Sequence, residues 1–194
     1  MDGVIYPESL NACKVMPLHS LSKGMTIYKQ GDTASEFYFI KSGLVGLYHT
    51  LDNGKESLVR LYQTNDYFGY RTLFGDSQYH CNAKVLIEAE IIRIKPHSID
   101  QFFINNPEAS KMLLQTIANE LRDAEQRLAK SAYLRTAERI QQTIHFLTQH
   151  FPYYNWTYRE IAEYAGCETE TAIRIANELK RNGQLPDGLV HKHK

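Results

Sequence analysis

Glu170, Thr171, Arg174, Asn177 and Arg181 recur at spacings that place them on one side of a helix. Ala172, Ile175, Ala176 and Leu179 interleave with them at the spacings of the opposite, inward side. A helix with small inward residues packs closely on a neighbour and projects its polar side into a groove. The partner is legible just upstream. Thr157 stands three residues before Glu160, the spacing of a capping box. Ile161, Ala162 and Ala165 supply an apolar face, and Gly166 a sharp corner. Two short helices about a glycine corner have the layout of a helix-turn-helix that enters the major groove of DNA. A helical hairpin with a solvated polar face has the same pattern.

Other chemistries find little support. The chain has no phosphate-binding P-loop, no HExxH, no GxSxG and no pair of CxxC knuckles. His145, His150, His191 and His193 do not fall at ligand spacing. His49, His80 and His97 form no motif of the kind a cupin-like metal-binding roll would need, which leaves that as the enzyme-class alternative. Cys13, Cys81 and Cys167 are odd in number and far apart, which argues against a disulfide framework and for a reducing compartment. Three thiols cannot hold a four-thiolate iron–sulfur cluster. His80-Cys81 resembles a haem ligand pair only weakly, and packing is the plainer role. No apolar run is long enough to span a bilayer and no signal sequence opens the chain, so the expectation is a cytoplasmic protein without a membrane partner. Net charge is zero over 194 residues, so any DNA-facing positive surface must come from sorting charges in space.

The elements that would position these residues divide the chain into three. Residues 1–106 carry short β-rich runs punctuated by Gly and Asp, among them MTIYKQGD, EFYFIKSGLVGLYHT and NAKVLIEAEIIRI. Asp52-Asn53-Gly54 is a hairpin signal. Gly24, Gly31, Gly43, Gly54 and Gly69 fall at expected strand ends. The pattern predicts a small antiparallel barrel or jelly roll. Residues 107–135 form a long helical pattern that opens on Pro107. In it Leu114, Ile117, Leu121, Ala124, Leu128 and Ser131 recur at alternating threes and fours, the seam of a two-stranded coiled coil. Packing of a single amphipathic helix on its own roll fits the same pattern. Residues 136–194 hold a further helix, burying Ile140, Ile144 and Leu147, and then the helix pair. The fold class expected is α+β: an N-terminal antiparallel roll, a long dimerisation helix and a C-terminal winged helix-turn-helix.

REIAEYAGCETETAIRIANELKRNG resembles the helix-turn-helix of the cyclic-AMP receptor protein and FNR family of bacterial transcription regulators. The likeness rests on Arg159-Glu160-Ile161, Gly166-Cys167, Glu170-Thr171, Arg174-Ile175 and Leu179. KGMTIYKQGDTASEFYFIKSGLVGLYHTLDNGKE and NDYFGYRTLF are similar to the opening strands and phosphate-binding turn of the same family's sensor roll. The resemblance implies a homodimer on a palindromic double-stranded DNA site, with RNA polymerase as a further partner. It implies that Glu170 and Arg174 reach base edges, where a carboxylate accepts from cytosine N4 and Arg forks onto guanine O6 and N7. Thr169 stands where the best-known member has a second base-reading Arg, so the operator is expected to differ. Thr171, Arg181 and Arg159 complete the expected DNA-facing set. The seam Leu114, Ile117, Leu121, Ala124 and Leu128 is the expected dimer interface, with a hinge near residues 133–136.

For an effector, the family geometry points to Gly69, Tyr70, Arg71, Tyr79 and His80. The family's pocket Glu is replaced by Tyr70, and its Arg-Ser pair by the Tyr79-His80 region. Arg71 lies one position along from the family Glu and is expected to face away. Cyclic AMP is therefore not expected to bind, and no cofactor is assigned. The tyrosines Tyr38, Tyr48, Tyr62, Tyr67, Tyr70 and Tyr79 either line a pocket or fill the roll. Cys167, at the corner, is expected to pack. After the second helix a minimal wing around Pro186-Asp187-Gly188 is expected, and the His- and Lys-rich tail either touches phosphate or is solvated.

Overall fold

The computed structural model describes residues 4–185. The expected wing at residues 186–188 and the tail, with His191 and His193, lie outside the described residues. Two compact units emerge: one comprises the chain up to Lys55 and Val59–Leu121, the other Glu56–Leu58 and the chain from Arg122 onward.

The first unit is an antiparallel roll. The strands in chain order are β1 (Cys13–Leu21), β2 (Thr26–Tyr28), β3 (Phe37–Thr50), β4 (Glu56–Gln63, whose first three residues fall in the second unit), β5 (Tyr67–Phe68) and β6 (Asn82–Pro96). The sheet order is β1-β6-β3-β4, with β2 on β6 and β5 on β3. Strand β1 does not stand out in the sequence because Pro17 interrupts its pattern. The structure tolerates that proline because β1 is at the end of the order, where no donor is needed on its outer side. Two helices also lack a clear pattern, α1 (Tyr70–Leu73) and α2 (Ile99–Asn105). Helix α2 is capped by Ser98, whose Oγ accepts from the Gln101 amide at 3.2 Å.

Both faces of β3 are buried, and its alternation sorts them. Tyr38 and Ile40 join the inner cluster with Val85, Ala89 and Ile91. Phe37 and Phe39 point the other way, onto Ile92, Ile94, Phe102 and Leu113. Beyond Gly43 the inward phase moves to odd positions, Val45 and Leu47. The register between β3 and β6 shifts at that point. Gly43 has φ +107°, and a Cβ there would lie 2.6 Å from both the Ala89 Cβ and the Glu88 carbonyl oxygen. Gly43→Ala is therefore expected to destabilise the roll by about 3 kcal/mol, combining backbone strain with a clash that neither strand can relieve. Urea unfolding followed by tyrosine near-UV circular dichroism checks this; an unchanged midpoint refutes it.

Helix α3 (Pro107–Tyr133) opens on proline at its first position, as the sequence indicates, and ends two residues earlier than the expected 135. Leu134 and Arg135 separate it from α4 (Thr136–His150). In the second unit α4 packs with α5 (Tyr158–Ala165) and α6 (Thr169–Arg181). Ile140, Ile144, Leu147 and Trp156 are fully buried there. The Trp156 indole N–H donates to the Leu147 carbonyl at 3.2 Å, so this large side chain is buried without an orphaned donor.

Candidate nucleic-acid interface and effector site

Local sequence builds α6 and the helix before it. Thr157 caps α5: its Oγ1 accepts from the Glu160 amide at 3.2 Å, and Glu160 Oε2 accepts from the Thr157 amide at 2.9 Å. Gly166 ends α5 in the left-handed region, at φ +69°. Helix α6 buries Ala172, Ile175, Ala176 and Leu179, the stripe expected. Glu170, Arg174, Asn177 and Arg181 are exposed, and Thr169 and Thr171 are half-buried at its N-terminal end. Glu168 precedes the helix without a side-chain cap bond. A carboxylate and a guanidinium one turn apart thus stand on the solvent face, on a helix whose other face is locked.

Arg159 differs from the rest of the expected set. Its Nε donates to Glu163 Oε1 at 2.7 Å, one turn along α5, so much of its charge is already answered. Arg139 takes a role that the sequence does not announce. Its Nε donates to the Ala165 carbonyl at 3.2 Å and its Nη2 to the Gly166 carbonyl at 3.5 Å. It thereby ties α4 to the corner and places a cation on the carbonyl end of α5. Cys167, beside that corner, is half-buried, and burial raises its thiol pKa, consistent with packing.

Among the expected effector residues Arg71 and His80 meet, and the two tyrosines, Tyr70 and Tyr79, are buried. Gly69 has φ +81° and starts α1. Tyr79 stacks on Tyr28 at 3.7 Å, and Tyr38 and Tyr62 flank Phe68 at 5.1 and 5.7 Å. Tyr28, Tyr38, Tyr62 and Tyr79 occupy the roll interior and Tyr67 and Tyr70 join the outer cluster, while a cleft of about 520 Å³ is lined by Lys14, Met16, Glu36, Arg93, Lys95 and His97. Arg71 corrects the sequence reading. It does not face away: its Nη1 lies 3.8 Å from Oε2 of buried Glu120, and its Nη2 meets His80 Nε2. Because residue 71 is on a helix rather than a strand, one step along the chain is about 100° of rotation, not a reversal. Burial first, then the Arg71 charge, holds His80 down at about 4, so its imidazole is neutral. Burial pushes Cys81 up to about 11. Among the described residues no group of three His, Cys, Asp or Glu side chains is placed to share a metal ion, and no helix is long and apolar enough to cross a membrane.

Residues 18–106 match the cyclic nucleotide-binding domain family. An uncharacterised protein of Haemophilus influenzae is 52% identical over 115 residues, covering 59% of this chain and 89% of that protein. The transcriptional activator protein FnrA of Stutzerimonas stutzeri is 23% identical over 201 residues, covering 95% of this chain and 82% of the relative. A solved CRP/FNR-family transcriptional regulator from Thermus thermophilus superimposes with a TM-score of 0.74 at 22% identity, covering 90% of each chain. From the roll through the long helix to the capped helix pair, the chain is thus similar to transcription regulators of the CRP/FNR family.

Proposed function

We propose that this regulator acts as a homodimer that reads a palindromic DNA site through α6, without cyclic AMP. The observation that carries the reading is the exposed Glu170 and Arg174 on a helix held from behind by four small or branched apolar residues. Thr169, Thr171 and Arg181 supply the flanking polar contacts, and Arg159 a weaker one because Glu163 competes for it. Dimerisation is supported by Leu114, Leu121 and Leu128, which are 59–71% exposed on one face of α3. Ala124 is exposed with them, whereas Ile117 is half-buried against the roll's outer cluster. Two α6 helices related by two-fold symmetry meet successive major grooves about 34 Å apart. RNA polymerase is the expected onward partner and the cytoplasm the expected place of action.

Selection from random duplex DNA by the effector-free protein tests this, followed by binding at two salt concentrations. A two-fold palindrome is expected. No enriched sequence would remove the reading as an effector-independent binder. A constitutive regulator without a small-molecule effector is the second reading, favoured by the tyrosines that fill the roll. Calorimetric titration with cyclic AMP is expected to give no binding heat. Micromolar binding abolished by Arg71→Ala would overturn that expectation.

A further inference from the structure

From residue 118 to residue 126 helix α3 is exposed at every position but one. Glu120 alone is buried, at 5% exposure, although a glutamate on such a helix can face water at no cost. Burying a carboxylate is expensive unless cations and donors answer it. Here the roll supplies them. The Tyr62 hydroxyl donates to Glu120 Oε1 at 2.7 Å, and Arg60 Nε lies 3.8 Å from the same oxygen. Arg60 Nη2 also donates to the Glu120 carbonyl oxygen at 3.0 Å. Arg71 Nη1 lies 3.8 Å from Oε2, with His80 holding the other end of its guanidinium.

Two cations thus face one anion, and the fit is incomplete. Oε2 of Glu120 is buried with no hydrogen bond, and so is the Tyr70 hydroxyl, on a side chain only 1% exposed. Burial first, then the Glu120 charge, raises that hydroxyl's pKa, so it is a neutral donor without an acceptor. The cluster therefore has more cationic charge than its resident carboxylate balances.

We propose that Arg60, Arg71 and Tyr62 form an anion site for a small carboxylate on the roll, and that Glu120 is its built-in occupant. A free carboxylate enters only by exchange with Glu120. Wild-type protein is consequently closed to such ligands until α3 yields that side chain. Exchange alters what holds α3 on the roll, which makes the site a place where a carboxylate effector acts on the helix bearing Leu121. The site belongs wholly to the roll, so its occupancy is measured without DNA and stands or falls separately from operator binding.

Glu120→Ala in the full chain empties the site. Acetate is titrated against sodium chloride at matched ionic strength, with thermal unfolding as the readout. Wild type is expected to show no acetate-specific shift. Glu120→Ala is expected to melt lower and to regain about 3 °C or more, saturably, as acetate binds. The added Arg71→Ala substitution is expected to abolish that gain. Equal behaviour in acetate and chloride overturns the proposal. Should Glu120→Ala fail to fold in either salt, Glu120→Gln keeps side-chain length and removes the charge. Arg71→Ala is then expected to lower the melting temperature in the native background and to leave it unchanged or raise it in the Glu120→Gln background. A fall of the same size in both backgrounds refutes a site built around a carboxylate.

Discussion

Leu121→Glu is expected to convert the proposed dimer to a monomer and to weaken binding to the proposed palindrome by roughly a hundredfold or more. The physical case begins with exposure. Leu121 is 59% exposed in the single chain and flanked by Glu120 and Arg122, with Leu114 at 59% and Leu128 at 71% on the same helix. They recur every seven residues, so they lie along one stripe, the spacing at which paired helices interlock. Burying a leucine contributes roughly 1.5–3 kcal/mol, and each layer of a pair buries two. A glutamate at this position loses that contribution and, in the proposed dimer, faces its own copy across the two-fold axis. Because Leu121 is not part of either roll cluster, the substitution leaves the roll itself intact. The DNA loss follows from linkage: a dimer's second half-site is bound at high effective concentration, and a monomer loses that advantage. Sedimentation velocity reads the first effect and fluorescence anisotropy the second. A Leu121→Glu protein that still sediments as a dimer refutes the seam. A monomer with undiminished affinity refutes the two-fold reading.

What the sequence revealed and what it hid differ by range. The Thr157–Glu160 box, the Gly166 corner and the inward stripe of α6 rest on contacts within a few residues, and they appear as expected. The roll was legible as short strands with turn signals, but not its interior. Whether Tyr28, Tyr38, Tyr62 and Tyr79 enclose space or fill it depends on strands far apart in the chain that bring them into stacking distance. Glu120 was hidden for the same reason. Its period on α3 is that of a solvated position, and its partners stand 49 to 60 residues upstream. Arg139 looks like an ordinary cation on an amphipathic helix, because the carbonyls it serves belong to a corner 26 residues later. Strand β1 was masked by Pro17, whose missing donor matters only on an inner strand. In each case local rules govern caps and stripes, while long-range topology decides which polar groups are buried.

Arg174→Ala is expected to abolish the preference for the selected palindrome while sparing most non-specific binding. A bidentate guanidinium contact contributes roughly 1–3 kcal/mol of discrimination between bases, and a two-fold dimer loses it twice. The specific affinity is therefore expected to fall by roughly 10²- to 10⁴-fold, and the salt dependence to change little, because base contacts release few counterions. Folding is not expected to suffer. Arg174 is exposed, and α6 is anchored by Ala172, Ile175, Ala176 and Leu179 on the other side. Arg181→Ala provides the contrast. It stands at the last position of α6, three turns from the Glu170 end, where phosphate contact is the expected role. That substitution is expected to weaken all sequences alike and to reduce the salt slope by about one unit per subunit. Glu170→Ala completes the set: it is expected to relax selection at a single half-site position, because a carboxylate accepts only from the amino groups of cytosine or adenine. Anisotropy titrations on the palindrome and on a scrambled duplex, each at two salt concentrations, separate the three outcomes. If Arg174→Ala lowered affinity equally for both duplexes, α6 would be holding the backbone rather than reading bases.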